Sequence, residues 1–335
     1  MTEPLRLLQV GAGQMGRAWL AAIRADPDVE LVALVDLDAG LARTAAGDHG
    51  YRDVLVGPDL TAVLAEARAD AMVNVTIPEA HRATTIPALA AGLPVLCEKP
   101  IAPTVAEARA MVDAAERHGR LLMVSQSRRY SPGLAAFRRL IARIGPIGTV
   151  TCQFFRAPRF GGFREEMADP LLLDMAIHQF DLARLLTGAD PLTAGCDAYN
   201  PPWSWYAGNA AAEATFVLAG GIRFTFSGSW CAPGLETSWN GAWRVSGAGG
   251  TAVWDGDHAP AAQLADGTVL TGEVGAEPEG IAGSLTEFVR CVRDGRRPDS
   301  AAARNIVSLA MVEAAVRSAA EHRIVAIAEV LGAAP

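Results

Sequence analysis

Leu5-Arg6-Leu7-Leu8-Gln9-Val10-Gly11-Ala12-Gly13-Gln14-Met15-Gly16 starts as a short apolar strand, runs straight into a glycine loop, and continues as a helical pattern through Ile23. A second apolar strand, Val29 to Val35, ends in Asp36, twenty residues after Gly16. Strand, GxGxxG, helix and a distal acid together form the dinucleotide-binding pattern. The first glycine permits the turn, the second lets backbone approach a pyrophosphate, and the third brings helix and strand close. Free N–H groups at the helix N-terminus then favour the phosphates. The candidate cofactor residues of the loop are Gly11, Gly13, Gln14, Met15 and Gly16. Asp36 accepts hydrogen bonds from ribose hydroxyls and repels a 2′-phosphate, so NAD is expected rather than NADP, with Arg43 the nearest cation in sequence.

The alternation continues outward from this stretch. Helices are expected from about Leu41, over Leu60 to Ala67, over Arg82 to Ala91 before Gly92, and from the capping box Thr104-x-x-Glu107 to Gly119. Strands are expected at Ala71 to Val75, Pro94 to Cys97 and Leu121 to Ser125. Strands separated by helices make a parallel sheet covered on both faces, and ligands of such sheets bind beyond the carboxyl ends of the strands. Three segments fall there: the glycine loop, Thr76-Ile77-Pro78 with His81, and Glu98-Lys99-Pro100. All of them are read as lining the cofactor.

Lys99 is the only lysine, against 28 arginines. A guanidinium stays protonated, whereas a desolvated ammonium can share or lose its proton. One lysine in an otherwise arginine-only chain, placed at the carboxyl edge of the sheet, reads as an active-site amine.

At 335 residues the chain is long enough for two domains, expected at 1–125 and 126–335. Half the residues are apolar and a fifth charged, which is a globular balance. A formal net charge of −8, with arginines dispersed, argues against nucleic acid. No apolar run reaches the ~20 residues of a membrane span, and Met1-Thr2-Glu3-Pro4 lacks a basic leader region, so a cytoplasmic protein is expected. Five scattered cysteines suggest neither a disulfide framework nor a zinc site, and no metal is expected.

After Gln126 the pattern changes. Ser131-Pro132 opens a helix ending near Gly145, and from Gly148 β patterning dominates, at Thr149–Arg156, Leu192–Tyr199, Ala212–Leu218, Ile222–Trp230, Ala242–Ser246 and Thr251–Trp254. One helix interrupts it, with Asp169 as N-cap, Pro170 at N1 and Gly188 as the stop. Its spacing places Asp174, His178 and Asp181 on one stripe of an otherwise apolar helix. Asp174 can fix the tautomer of His178 and stabilise its imidazolium, as an orienting acid does for a general base. Asp181 serves equally well as a structural acceptor and stays outside the catalytic set.

Taken together, the GAGQMG loop, Thr76-Ile77-Pro78 with His81, Glu98-Lys99-Pro100 and Asp174-x-x-x-His178 with Asp181 resemble the Gfo/Idh/MocA oxidoreductases, which include inositol and other sugar dehydrogenases. The resemblance spans nearly the whole chain, including Ser318-Ala319 before the last strand, Ile324 to Ile327. It implies a Rossmann domain, then an α/β domain with a large, mostly antiparallel open sheet used for oligomerisation as a homodimer or homotetramer. It also implies a catalytic Lys99, Asp174 and His178, and a pocket to which Arg128 and Arg159 contribute with them. Two departures stand out: Ala168-Asp169-Pro170 replaces a glycine-rich lead, and His322 replaces a glycine. The reaction so implied is hydride transfer between a nicotinamide cofactor and a hydroxyl or ketone of a sugar or polyol. The alternatives are a non-catalytic NAD-binding regulator and an NAD-dependent enzyme of the same fold with other chemistry, of the glycosidase or biliverdin reductase type.

Overall fold

The computed structural model describes residues 3–332. Met1-Thr2, on which part of the leader reading rests, and the last three residues of the expected second domain lie outside them. Among the described residues, 3–127 and Pro278–Ile306 pack as one compact unit, Arg128–Glu277 and 307–332 as another. The expected continuous second domain, 126–335, is therefore interrupted, because Pro278–Ile306 folds with the first unit.

In the first unit, β1 (Leu5–Val10), β2 (Val29–Val35), β3 (Leu55–Gly57), β4 (Ala71–Asn74), β5 (Val95–Glu98) and β6 (Leu122–Ser125) form a sheet in the order β3-β2-β1-β4-β5-β6. Every pairing is parallel. Strands buried on both faces read as continuous apolar runs, and Leu7, Leu8, Leu34, Met72, Val73, Val95, Leu96 and Met123 are fully buried. The crossovers carry α1 (Gln14–Ala25), α2 (Ala39–Asp48), α3 (Leu60–Glu66), α4 (Pro78–Ala90) and α5 (Val105–His118). The strand order reverses between β1 and β4, the switch point at which such sheets open a ligand crevice. The returning segment adds the helix Gly280–Asp294, which packs on α1 and is tied by an Arg293–Asp28 ion pair of 2.7 Å. Beyond it, the Ser300 carbonyl accepts from the Val124 N–H at 2.9 Å.

The second unit is built on a nine-stranded sheet whose strands are β7 (Ile147–Phe155), β8 (Pro191–Tyr199), β9 (Ala211–Leu218), β10 (Arg223–Ser229), β11 (Ala242–Gly247), β12 (Gly250–Trp254), β13 (Ala261–Leu264), β14 (Val269–Thr271) and β15 (Val325–Ala326). Their order is β14-β13-β12-β11-β7-β10-β9-β8-β15, with β10 and β7 parallel and the other pairs antiparallel. One face is apolar and covered: Phe180, from the helix Ile177–Thr187, meets Phe216 at 4.7 Å and Phe226 at 5.4 Å. The opposite face carries small polar residues. Register places Thr215, Thr225, Thr151 and Arg244 in one row across four strands, and alternation in β7 and β9 leaves this face half-buried or exposed.

Candidate active site

Two of the three loop glycines are required by packing alone. A Cβ on Gly11, whose φ is +104°, would lie 2.6 Å from the Val75 carbonyl oxygen, and one on Gly16 would lie 2.3 Å from the Gly11 oxygen. At Gly13 a Cβ would meet nothing within 4 Å, and φ there is −66°. No protein atom demands a glycine at that position, so its missing side chain leaves room for something else. Gly13 also caps α1 without a side-chain hydrogen bond, whereas Asp38, Asp59 and Thr104 close the first turns of α2, α3 and α5. Open backbone and uncapped N–H groups at a helix N-terminus fit a dinucleotide pyrophosphate. Gln14 and the half-exposed Met15 follow on the first turn of α1.

Asp36, beyond the end of β2, braces this loop. Its Oδ2 accepts from the Ala12 N–H at 2.7 Å and its Oδ1 from the Asp38 N–H at 3.0 Å. The loop has a second brace that sequence reasoning missed: the fully buried Gln9 donates from Nε2 to the Gly11 and Gly16 oxygens at 2.8 and 2.9 Å. Asn74 does the same work beyond β4. It donates from Nδ2 to Thr84 and Thr85 at 2.7 and 2.9 Å, and accepts from the Thr76 hydroxyl at 2.8 Å. The available signal is a polar residue near the carboxyl end of a mostly apolar strand, since burial without a partner is costly. Thr76 and Ile77, the latter 61% exposed, lead into Pro78 at the start of α4.

His81 corrects an expectation. It is fully buried, and its ring nitrogens face backbone carbonyls, Nδ1 those of Pro100 and Ile101 at 3.0 and 3.2 Å and Nε2 that of Thr76 at 3.0 Å. Burial pushes its pKa below the ordinary imidazole value despite these carbonyls. The ring clamps the Thr76 and Pro100 turns together and presents no free edge to a cofactor.

Glu98 closes β5 and Lys99 follows it. Glu98 Oε1 accepts from the Trp19 indole at 2.9 Å and Oε2 from the Lys99 backbone N–H at 3.0 Å. Burial raises the Glu98 carboxyl above the usual carboxylate range, opposed by the Lys99 charge and by these donors. Glycine loop, Asp36, Thr76 and Glu98-Lys99 thus all stand at the carboxyl edge of one parallel sheet.

In the second unit, the expected helix from Pro170 to Gly188 begins differently. Leu171–Ala176 winds as a π-helix and Ile177–Thr187, here α6, as an α-helix that Gly188 ends in the left-handed region. Wider π turns recur at functional sites. Asp169 makes no side-chain cap; its Oδ1 accepts from Asn209 at 2.9 Å. The Asp174 carboxylate accepts from Arg164 Nε at 2.7 Å, and that guanidinium lies over Phe160 and Phe163. Arg164, ten residues upstream in a loop, carried no pattern that tied it to Asp174. His178 is 5% exposed on the first turn of α6. Asp181 is structural: Arg129 holds it in a fork at 2.6 and 2.8 Å, and Ser308 donates to it at 2.7 Å.

Arg128 and Arg159, both expected near substrate, rest on separate supports. Arg128 Nη1 donates to Asn240 Oδ1 at 3.0 Å, while the exposed Arg159 stacks on Trp205 at 4.0 Å. Among the described residues no cluster of three or more His, Cys, Asp or Glu could hold a metal ion, and no helix is long and apolar enough to cross a membrane.

The parallel sheet with its glycine loop defines an NAD-binding oxidoreductase fold. Residues 5–126 match the model of an oxidoreductase family with an NAD-binding Rossmann fold, and residues 134–253 match the GFO/IDH/MocA C-terminal domain. The chain belongs to the Gfo/Idh/MocA family. A D-apiose dehydrogenase of Paraburkholderia graminis is 31% identical over 349 residues, covering 97% of this chain and 90% of that one. An inositol 2-dehydrogenase of Rhizobium meliloti is 27% identical, covering 95% of this chain and 98% of that one. The fold superposes with a TM-score of 0.89, at 22% identity and over 98% and 99% of the two chains, on an oxidoreductase from Agrobacterium radiobacter crystallised with NAD+, L-tartaric acid and magnesium.

Proposed function

We propose that this protein is an NAD-dependent dehydrogenase or reductase acting on a secondary hydroxyl or ketone of a sugar or polyol. The observation that carries the reading is the position of the only lysine, one residue beyond β5 at the sheet edge that also holds the glycine loop. Gly11, Gly13, Gly16, Asp36 and Thr76 hold the cofactor, whose nicotinamide supplies the hydride acceptor or donor when bound. His178 takes the hydroxyl proton on oxidation and returns it on reduction. Asp174, fixed by Arg164, orients that imidazole and offsets its charge. Lys99 donates to the substrate oxygen as negative charge develops on it.

Asp36 disfavours a 2′-phosphate, so kcat/KM with NAD(H) exceeds that with NADP(H); equal or better use of NADP(H) would point to Arg43 instead. The polar, open face of the large sheet serves as a self-complementary surface, giving a homodimer or a tetramer of closed symmetry. Light scattering at micromolar concentration tests this, and a monomer refutes it. The activity itself is tested by NADH absorbance over a panel of inositols, aldoses and keto sugars. NAD binding with no turnover on any of them would support the regulator reading.

A further inference from the structure

Arg128 is a half-buried cation whose hydrogen-bond partner is a neutral amide. Its Nη1 donates to Asn240 Oδ1 at 3.0 Å, and its Nε is buried with no partner. The neutral support is itself fixed: Asn240 Nδ2 donates to the Gly256 oxygen at 2.8 Å and its backbone N–H to Ser238 Oγ at 3.0 Å, so the amide oxygen is what faces the guanidinium. No Asp or Glu among the described residues makes an ion pair with Arg128. Burial, and then the like charge of Arg156, pull its pKa down to about 10.

The arginines around it are treated differently. Arg129, one residue on, is clamped on Asp181; Arg164 is paired with Asp174; Arg156 has Glu236 at 2.7 Å, the Thr237 carbonyl at 2.7 Å and the Trp239 ring at 4.3 Å. Each of these three guanidiniums faces a carboxylate. Arg128 is desolvated and left with a neutral amide, an arrangement that is costly unless an anion completes it.

We propose that Arg128 is the anion-recognising residue of the substrate site, and that the sugar or polyol oxidised is a sugar acid whose carboxylate takes the guanidinium N–H groups that Asn240 leaves unused. The inference rests on the dehydrogenase reading above. Paired N–H groups along one edge match two coplanar carboxylate oxygens. A phosphate dianion calls for a second cation beside the first, and Arg156, whose charge Arg128 feels, is already neutralised by Glu236. Removing Arg128 therefore weakens acids selectively, while the unpaired charge contributes nothing to stability that a neutral side chain would forfeit.

The test uses the full-length protein and follows NADH formation with D-galacturonate, D-glucuronate and D-gluconate, with D-galactose, D-glucose and myo-inositol, and with D-glucose 6-phosphate. The best acid is expected to exceed its neutral counterpart in kcat/KM by roughly 10²-fold. Arg128→Gln should collapse that ratio toward one, mainly through KM, and Arg128→Lys should restore part of it. A neutral sugar as best substrate, with the ratio unmoved by Arg128→Gln, overturns the proposal. So does a preference for the phosphate ester, or a large drop in Tm on Arg128→Gln, which would mark the residue as structural. Thermal shift by the same three acids, without turnover, separates the two readings. If no sugar is oxidised yet the acids stabilise the wild type and not Arg128→Gln, the dehydrogenase reading fails and the anion site stands. If neutral sugars turn over and the acids give no shift, the anion site fails alone.

Discussion

Trp19, fully buried on α1, donates its indole N–H to Glu98 at 2.9 Å and so ties the helix that follows the glycine loop to the strand that carries Lys99. Burial holds the Glu98 carboxyl above its ordinary pKa, so the native state retains that proton where the unfolded chain has lost it. Stability should therefore fall as pH rises from the ordinary glutamate value to the raised native one, and then level off. Glu98→Gln should flatten that part of the curve in denaturant melts. Trp19→Phe should cost about 1 kcal/mol for the lost hydrogen bond, beyond any cavity, and less in a Glu98→Gln background. Equal costs in both backgrounds would deny the coupling.

The glycine loop predicts a separation of stability from binding. Gly16→Ala forces a Cβ to within 2.3 Å of the Gly11 oxygen and should cost several times more stability than Gly13→Ala, whose Cβ meets no protein atom within 4 Å. Gly13→Ala should stay within about 1 kcal/mol of the wild type in stability yet lose NADH affinity, measured by fluorescence. Unchanged affinity would mean that backbone and phosphate do not meet at Gly13.

Much of this was legible in the sequence because it rests on local chemistry. Apolar runs separated by helical periods give the parallel sheet, and three glycines at fixed offsets give its loop. Other features depend on partners remote in sequence. Nothing in Pro278–Ile306 announces that it packs on α1, since an amphipathic helix carries no address. The edge strand Leu55–Gly57 is too short to show a period. Proximity to the sheet edge in sequence does not reveal that the His81 ring turns inward onto the Thr76, Pro100 and Ile101 carbonyls. Arg164 on Asp174 and Arg129 on Asp181 are pairings across loops, and only the fold brings them together.

His322 occupies a position where the family resemblance led to glycine, and its φ of +51° shows why glycine suits it. The turn is held from both sides, with Ser318 donating to the Arg323 carbonyl at 2.6 Å and accepting from the Cys196 N–H at 2.9 Å. His322→Gly should raise stability by about 0.5–1 kcal/mol by relieving a left-handed non-glycine residue. A lower Tm would show that the exposed imidazole contributes more than the backbone strain removes.

The account turns on Lys99. Lys99→Arg keeps the positive charge but replaces a compact, titratable ammonium with a planar guanidinium. NADH affinity by fluorescence and kcat on whichever sugar the panel identifies, measured on the same preparation, decide the matter. The account predicts near wild-type affinity with kcat lowered by roughly 10²–10⁴-fold, the range of a lost acid–base group. Turnover close to wild type in Lys99→Arg would contradict it.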